Sequence, residues 1–476
     1  MKKIVYWILA MSVMLILLPQ CQWKSKSNVA KYVFYFIGDG MGVNQVNGAE
    51  MYREELAGRI GVNPLNFSQF PVVSMASTFS RYNSVTCSAA AGTALATGEK
   101  TKNGVLGLDS LVQTPLFSVA VKAKEWGKKV GIATSVSIDH ATPAAFYAHQ
   151  PKRSMYYEIA TDLPKTGFDF YAGSGFLRPE GKDGQAGIFD LLKDSGYYVA
   201  KGVEEFRSLP AAARKVVLMQ KDGPAEALPY AIDSKAGDLT LEQITDSAIR
   251  FLEKDADKGF FLMVEGGKID FACHNNDAAT VFCEIMDFEK AIQRALDFYT
   301  RHPDETLIVV TADHETGGIV LGRGRYELNL DVLKYQKASE ENITEQVKQL
   351  RKEKNNKVAW EDVQELLTRN FGFWKSVDLS EQQETTLKET YKETFRGSKV
   401  EMEKSLYASN EPIVAKAVKI LNDIAMVGWT SGGHSAGYVP VYAIGAGAGY
   451  FRGKLDNTDI PKRIEMAMSG KKKFFR

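Results

Sequence analysis

Neither sign of charge is in excess in this chain. Its 59 Lys and Arg stand against 58 Asp and Glu, for a net charge of +1. That balance gives no support to a nucleic-acid or acidic-lipid partner, and the basic run at 471–473 reads as a solvated tail. Cysteine is scarce, with four in 476 residues. Cys21 belongs to the leader described below. The remaining Cys87, Cys273 and Cys283 are odd in number and lack paired spacing, which argues against a disulfide framework. Cys273 and Cys283 read instead as small buried hydrophobes. No internal repeat is visible, so a repeat architecture is excluded.

What is present is an ordinary globular composition, 45% hydrophobic and 25% charged. The length suits one large α/β domain with an insertion, or two to three ordinary domains. Residues 1–21 read as a targeting segment. Lys2 and Lys3 precede a nearly continuous apolar stretch, 4–18, too short for a comfortable membrane span. It ends at LLPQC. Cys21 is placed like the attachment site of a bacterial lipoprotein; Leu18 fits that motif and Pro19 and Gln20 do not. Lipidation of Cys21, simple cleavage and an uncleaved anchor stay open. In each case the body of the protein is exported, to the periplasm or to a membrane surface.

From 30 to 318, short apolar strands alternate with helical patterns, which predicts a large, mostly parallel central sheet with helices on both faces. Strands are expected at 33–37, 72–78, 130–135, 197–200, 215–219, 260–264, 307–311 and 438–444. Helices are expected at 116–126, 241–252 and 278–300. Residues 325–425 are rich in Glu, Lys and Gln with almost no strand signal. Amphipathic patterns at 343–354, 360–370, 380–395 and 411–425 predict a helical insertion. The resulting division is 1–21 as leader, 28–324 with 426–476 as catalytic domain, and 325–425 as a lid or rim between His314 and His434.

Most acid- and histidine-bearing segments flank expected strands. Asp39 follows the first, in YFIGDGMG. Glu265, Asp270 and His274 lie in FFLMVEGGKIDFACH, Asp313 and His314 in LIVVTADHETGG, and His434 in WTSGGH. In an open α/β sheet, ligands bind outside the carboxyl ends of the strands. Carboxylate and imidazole together are zinc ligands, and surplus carboxylates suit magnesium. A second segment, SVTCSAAAGTALATGEKTKNG from Ser84 to Gly104, puts Ser88 at the head of a helix of small residues. Unpaired N–H groups there stabilise an alkoxide or a phosphate, although such a serine is more often a helix cap. A third, SIDHATPAAFYAHQPKR from Ser137 to Arg153, brings Asp139, His140, Thr142 and a guanidinium suited to phosphate oxygens. His302 reads as a surface residue, His149 as structural on one helical stretch with Arg153, Asp277 as a helix start and Asp139 as a turn.

These five motifs, in this order, resemble the alkaline phosphatases, metalloenzymes built on a large α/β sandwich. The resemblance covers 30–318 and 426–450, with the helical insertion outside it. It implies Ser88 as nucleophile and Arg153 as phosphate clamp. It implies Asp270, His274 and His434 on one zinc, Asp39, Asp313 and His314 with the Ser88 oxygen on a second, and Asp39, Thr142 and Glu265 on a third metal, usually magnesium. Two metals about 4 Å apart can clamp the attacking and leaving oxygens of an in-line displacement. Small phosphate monoesters are then the substrates, through a phosphoserine, and the family implies a homodimer.

Three positions depart from the family. Cys87 stands where an aspartate commonly orients the arginine, and Phe271 where Lys or His is frequent. His140 replaces an aspartate of many bacterial members, which leaves the third metal open, since an imidazole favours zinc or cobalt over magnesium. Among rivals, sulfatases need C-x-P-x-R, and Cys87 is followed by Ser88, Ala89 and Ala90. Phosphodiesterases and mutases of the superfamily lack the third-site set. An exported protein that holds phosphate or metal without turnover has no use for Ser88.

Overall fold

In the computed structural model, residues 29–182, 184–324, 326–396 and 401–470 are described. The leader, Cys21 and the run at 471–473 lie outside them. Ten strands form one sheet: β1 (Tyr32–Gly38), β2 (Val72–Ser77), β3 (Lys129–Thr134), β4 (Phe170–Gly173), β5 (Tyr198–Lys201), β6 (Val216–Met219), β7 (Phe260–Gly266), β8 (Thr306–Ala312), β9 (Val439–Gly445) and β10 (Lys454–Asp456). Their order is β10-β2-β9-β8-β1-β7-β3-β4-β6-β5. Only β9 runs against its neighbours β2 and β8; every other pairing is parallel.

The expected sheet is therefore present, with two strands that the residue pattern did not indicate. β4 is four residues, FYAG, all buried. A run this short is defined by its neighbours β3 and β6 rather than by its own periodicity. β10, KLD, has no apolar alternation and exists by pairing with β2.

Central strands β1, β7 and β8 are buried at every position, as a sheet covered on both faces requires. Helices Val43–Leu56, Leu241–Glu253 and Ala278–Arg301 pack together on one side, and Ser88–Thr97, Val119–Glu125 and Asp459–Ser469 on the other. The rings of Tyr32, Phe34, Phe260 and Phe298 interlock edge to face between β1, β7 and the long helix. His302, in the bend just after the long helix, joins them against Tyr32 and Phe298, so it is half-buried packing rather than a surface residue. The helix expected from 116 starts at Val119, because the Ser118 hydroxyl caps it at Val121 N–H.

The segment 325–425 folds as expected into four helices, Glu340–Glu353, Trp360–Phe371, Glu381–Phe395 and Pro412–Ile424. One small hairpin, Glu403–Lys404 with Ser409–Asn410, interrupts them. The segment's ends are drawn together. Val320–Leu321 pairs antiparallel with Val427–Gly428, and Glu315–Thr316 with His434–Ser435.

Asp277 fixes the segment to the sandwich. Its buried carboxylate caps the long helix by accepting from Thr280 N–H (3.1 Å) and the Thr280 hydroxyl (2.7 Å). It also accepts from Gln336 Nε2 (2.9 Å) and Glu340 N–H (3.0 Å), at the threshold of the helical segment. Asp277→Ala leaves these donors buried without an acceptor and should cost about 3 kcal/mol of stability. Urea unfolding at fixed metal content checks this: a loss under about 1 kcal/mol would mean that the donors find other partners.

Candidate metal centre

Four neighbouring strands, β8-β1-β7-β3, end at one rim. Asp313 and His314 follow β8 directly, Asp39 follows β1, and Glu265 is the penultimate residue of β7. The segment after β3 carries His140, at the cap of the short helix Ala141–Ala144, and Thr142 within it. Asp270 and His274 sit at i and i+4 of the helix Lys268–His274, hence on one face. His434 arrives on the two-residue strand paired to Glu315–Thr316. Thus residues hundreds of positions apart meet because their strands are adjacent.

The turn after β1 has to be glycine. Gly40 has a φ of +73°, and a Cβ there would lie 2.8 Å from Asp270 Oδ1. Its N–H donates to Asp313 Oδ1 (3.2 Å).

The three imidazoles that converge here are oriented in the same way. His274 Nδ1 bonds to the Gly432 carbonyl (2.6 Å) and His434 Nδ1 to the Thr86 carbonyl (2.8 Å). His314 Nδ1 meets the Thr316 hydroxyl (3.1 Å). Each tether turns Nε2 inward, the arrangement that holds a metal-binding histidine in its tautomer. His274 Nε2 lies 3.2 Å from Asp270 Oδ2 and 3.2 Å from His434 Nε2. His314 Nε2 lies 3.2 Å from Asp313 Oδ2, 3.3 Å from Asp39 Oδ1 and 3.2 Å from the Ser88 hydroxyl.

Ser88 is the first residue of its helix; the cap position belongs to Cys87, whose side chain caps nothing. The cap role for Ser88 therefore falls away, and its buried hydroxyl faces the cluster. Arg153 Nη2 lies 3.2 Å from His140 Nε2 and donates to the Tyr407 hydroxyl (3.1 Å). No helix joins Arg153 to His149, which is held by the Gly107 carbonyl. Asp139 accepts from Leu177 N–H and braces a loop outside the cluster. Tyr407, from the small hairpin of the helical segment, is the site residue that sequence reasoning missed. A lone tyrosine in a charged helical stretch carries no signal of such a contact.

The donor atoms suit cations. Both oxygens of Asp39, Asp270 Oδ2, Asp313 Oδ2, Glu265 Oε1, Thr142 Oγ1 and His140 Nδ1 are buried without a hydrogen-bond partner in the protein. Such atoms are costly unless a cation coordinates them. Three groups of ligand atoms each lie within 4.8 Å of one another: Asp270, His314 and His434; Asp39, Asp313 and His314; Asp39, His140 and Glu265.

Electrostatics show the same crowding. Burial, and then the neighbouring Asp313, Asp270 and Glu265, hold Asp39 well above the usual carboxylate range. Burial and Asp270 push Asp313 up to about 8. Burial pushes Glu265 up to about 7, against the Thr134 hydroxyl that it accepts from. Asp270 alone is lowered: burial opposes ionisation, but His274, His314 and His434 outweigh it. Burial and then Arg153 push His140 down to about 3. Burial, then His434, lowers His314, and burial lowers His434. These imidazoles are neutral, as ligands must be. His274 is raised, because Asp270 outweighs its burial.

A pH dependence follows for the protein stripped of metal. Asp313, Glu265 and Asp39 keep protons at pH values where unfolded carboxyls, at about 4, have lost them. Their stabilising contribution disappears as pH rises through their folded values; His274 acts in the same direction. The lowered histidines contribute fully above the unfolded value of about 6.5 and change nothing beyond it. Between about pH 6.5 and 8, the stripped protein should lose up to about 1.4 kcal/mol per pH unit for each such carboxyl. With metals bound, these groups stay ionised and the loss is absent. Thermal unfolding in chelator and in zinc plus magnesium checks this across that range. The gap between the two curves should widen with pH; a constant gap would contradict it.

Comparison with known proteins agrees with the geometry. The family model described as alkaline phosphatase matches residues 30–171 and 214–469. The match runs unbroken through the helical segment, which therefore lies inside the resemblance and not outside it as the motifs alone suggested. Alkaline phosphatase 3 of Bacillus subtilis is 32% identical over 457 residues, covering 94% of this chain and 90% of that protein. The cold-active alkaline phosphatase of Shewanella sp. is 29% identical with a TM-score of 0.76, covering 92% of this chain and 99% of that one. That of Thermus thermophilus is 27% identical with a TM-score of 0.75, covering 96% of each. A histidine-to-aspartate variant of the alkaline phosphatase of the Antarctic bacterium TAB5, 26% identical with a TM-score of 0.65, has Mg bound in its M3 site; the alignment covers 93% of this chain and 98% of that one. On a family match over most of its length and a relative almost coextensive with it, this chain belongs to the alkaline phosphatase family, whose members hydrolyse phosphate monoesters.

Proposed function

We propose that the chain hydrolyses phosphate monoesters through a phosphoserine on Ser88. The observation that carries this reading is the Ser88 hydroxyl at a helix N-terminus, 3.2 Å from His314 Nε2, beside carboxylate oxygens with no protein partner. Asp270, His274 and His434 would hold one zinc. Asp39, Asp313 and His314, with the Ser88 oxygen, would hold a second. Asp39, Thr142 and Glu265 would hold a third metal, and His140 lies within reach of the same oxygens. Magnesium is bound in the M3 site of TAB5 variants in which a histidine is replaced by aspartate or glutamate, which speaks for magnesium beside carboxylates, whereas the neutral His140 of this chain favours zinc. When bound, the metals supply positive charge that stabilises the attacking and leaving oxygens.

The chain's own residues perform the rest. Ser88 Oγ forms the bond to phosphorus as the bond from phosphorus to the ester oxygen breaks; the Oγ proton passes to solvent, and the departing oxygen takes one back from it. The N–H groups at the head of the helix Ser88–Thr97 face the charge that develops there. Arg153 holds the non-bridging oxygens through its planar fork. Water then cleaves the Oγ–P bond and frees phosphate and Ser88. The Nδ1 tethers fix where each imidazole sits, so the site needs little reorganisation during the reaction. The helical segment 325–425 would form the rim. The reading extends to export and to a homodimer. No helix of the described residues is long and apolar enough to cross a membrane.

Ser88→Ala tests the nucleophile. It should fold and bind metal, yet lose acid-stable phosphoserine after reaction with labelled ester, and turn over at least about a hundredfold more slowly. Labelling equal to that of the parent protein would overturn the assignment. Chelation should abolish activity in both proteins, and zinc with magnesium should restore it to the parent.

A further inference from the structure

Arg153 lacks the partner that position 87 usually supplies. A thiol is uncharged near neutrality unless its pKa is depressed, and Cys87 Sγ is already engaged, accepting from Gly104 N–H at 3.1 Å. The backbone around it is nevertheless continuous with Arg153, whose N–H donates to the Gly104 carbonyl (2.8 Å). Cys87 is also among the groups that act electrostatically on the Arg153 guanidinium, so a carboxylate at position 87 would stand close to it. Two groups meet the guanidinium instead: His140 Nε2, 3.2 Å from Nη2, and, from the helical segment 254 residues on in sequence, the Tyr407 hydroxyl, accepting from Nη2 at 3.1 Å.

Tyr407 is itself fixed. Its ring stacks on Phe271 with centroids 3.9 Å apart and planes at 16°. It stands edge-on to His274 at 5.4 Å and lies 5.7 Å from His140. Phe271 is the second departure from the family pattern, and Lys at that position could not stack in this way. The two departures therefore fit together, one removing a carboxylate and the other building an aromatic seat for its substitute. The substitute differs in kind. A hydroxyl aims the guanidinium without cancelling its charge, so the full cation remains available to phosphate.

We propose that Tyr407 is the positioning residue for the Arg153 guanidinium, doing from the helical segment what a carboxylate at position 87 does elsewhere in the family. The inference rests on the reading of Arg153 as the phosphate clamp. It makes the hairpin Glu403–Lys404 with Ser409–Asn410 part of the substrate site.

The experiment uses the full chain loaded with zinc and magnesium. The inhibition constant of inorganic phosphate is measured alongside KM and kcat for p-nitrophenyl phosphate. Tyr407→Phe keeps the stacked ring and loses only the hydroxyl; it should raise the phosphate constant and KM about tenfold, with kcat changing less. Phe271→Leu, which removes the seat and leaves Tyr407 in place, should shift both in the same direction. Cys87→Asp should lower the phosphate constant by a larger factor in Tyr407→Phe than in the parent chain, because there it replaces a partner that has been removed, with His140 unchanged in both. A merely structural tyrosine would not show that rescue. If Arg153→Ala weakens phosphate while Tyr407→Phe does not, the proposal fails and the clamp stands. It fails also if Cys87→Asp acts by the same factor in both backgrounds. If Arg153→Ala leaves phosphate inhibition unmoved, the clamp fails and the proposal with it.

Discussion

Four carboxylates, Asp39, Glu265, Asp270 and Asp313, are fully buried within one small volume. Left to themselves they repel one another and resist ionisation, and Asp39, Glu265 and Asp313 hold their protons far above the ordinary range. The architecture around them is intelligible as provision for cations. The parallel strands place the acids at one rim, burial keeps the His140, His314 and His434 imidazoles neutral, and backbone carbonyls turn Nε2 of His274 and of His434 inward. A site like this stores electrostatic strain that bound metal would relieve, so metal binding stabilises the fold.

The candidate residues were legible in the sequence because most are tied to strand ends. Asp39, Glu265, Asp313 and His314 follow or end apolar runs whose periodicity is plain, and a parallel sheet brings such ends together. Asp270 and His274 add a helical spacing. Tyr407 had no such tie: its role comes from a hairpin of two-residue strands folding over a distant loop. β4 and β10 were missed for a related reason, since three or four residues carry no period and owe their conformation to neighbours. The family match also extends further along the chain than the motifs indicate. The charged composition of 325–425 differs from that of the sandwich, and composition reports solvent exposure rather than kinship.

The helical segment is bound to the sandwich by polar contacts as well as packing. Asp277 gathers donors from the long helix, from Gln336 and from Glu340 on a single carboxylate. Arg351 forms a bidentate pair with Glu411, tying the first helix of the segment to the start of the last. Most of these contacts are shielded from water, where such bonds are strong and their loss costly.

The clasp at the base of that segment has an evolutionary corollary. Because Val320–Leu321 pairs with Val427–Gly428, the chain leaves and re-enters the sandwich through one narrow doorway. The entropy of closing a loop grows only with the logarithm of its length, about 0.6 kcal/mol per doubling. Descendants of such a chain can therefore lengthen or shorten what lies beyond the doorway at little entropic penalty, provided the contacts to Asp277 and Arg153 are kept. His314 and His434, on the near side of it, keep their places while the roof above them is redesigned.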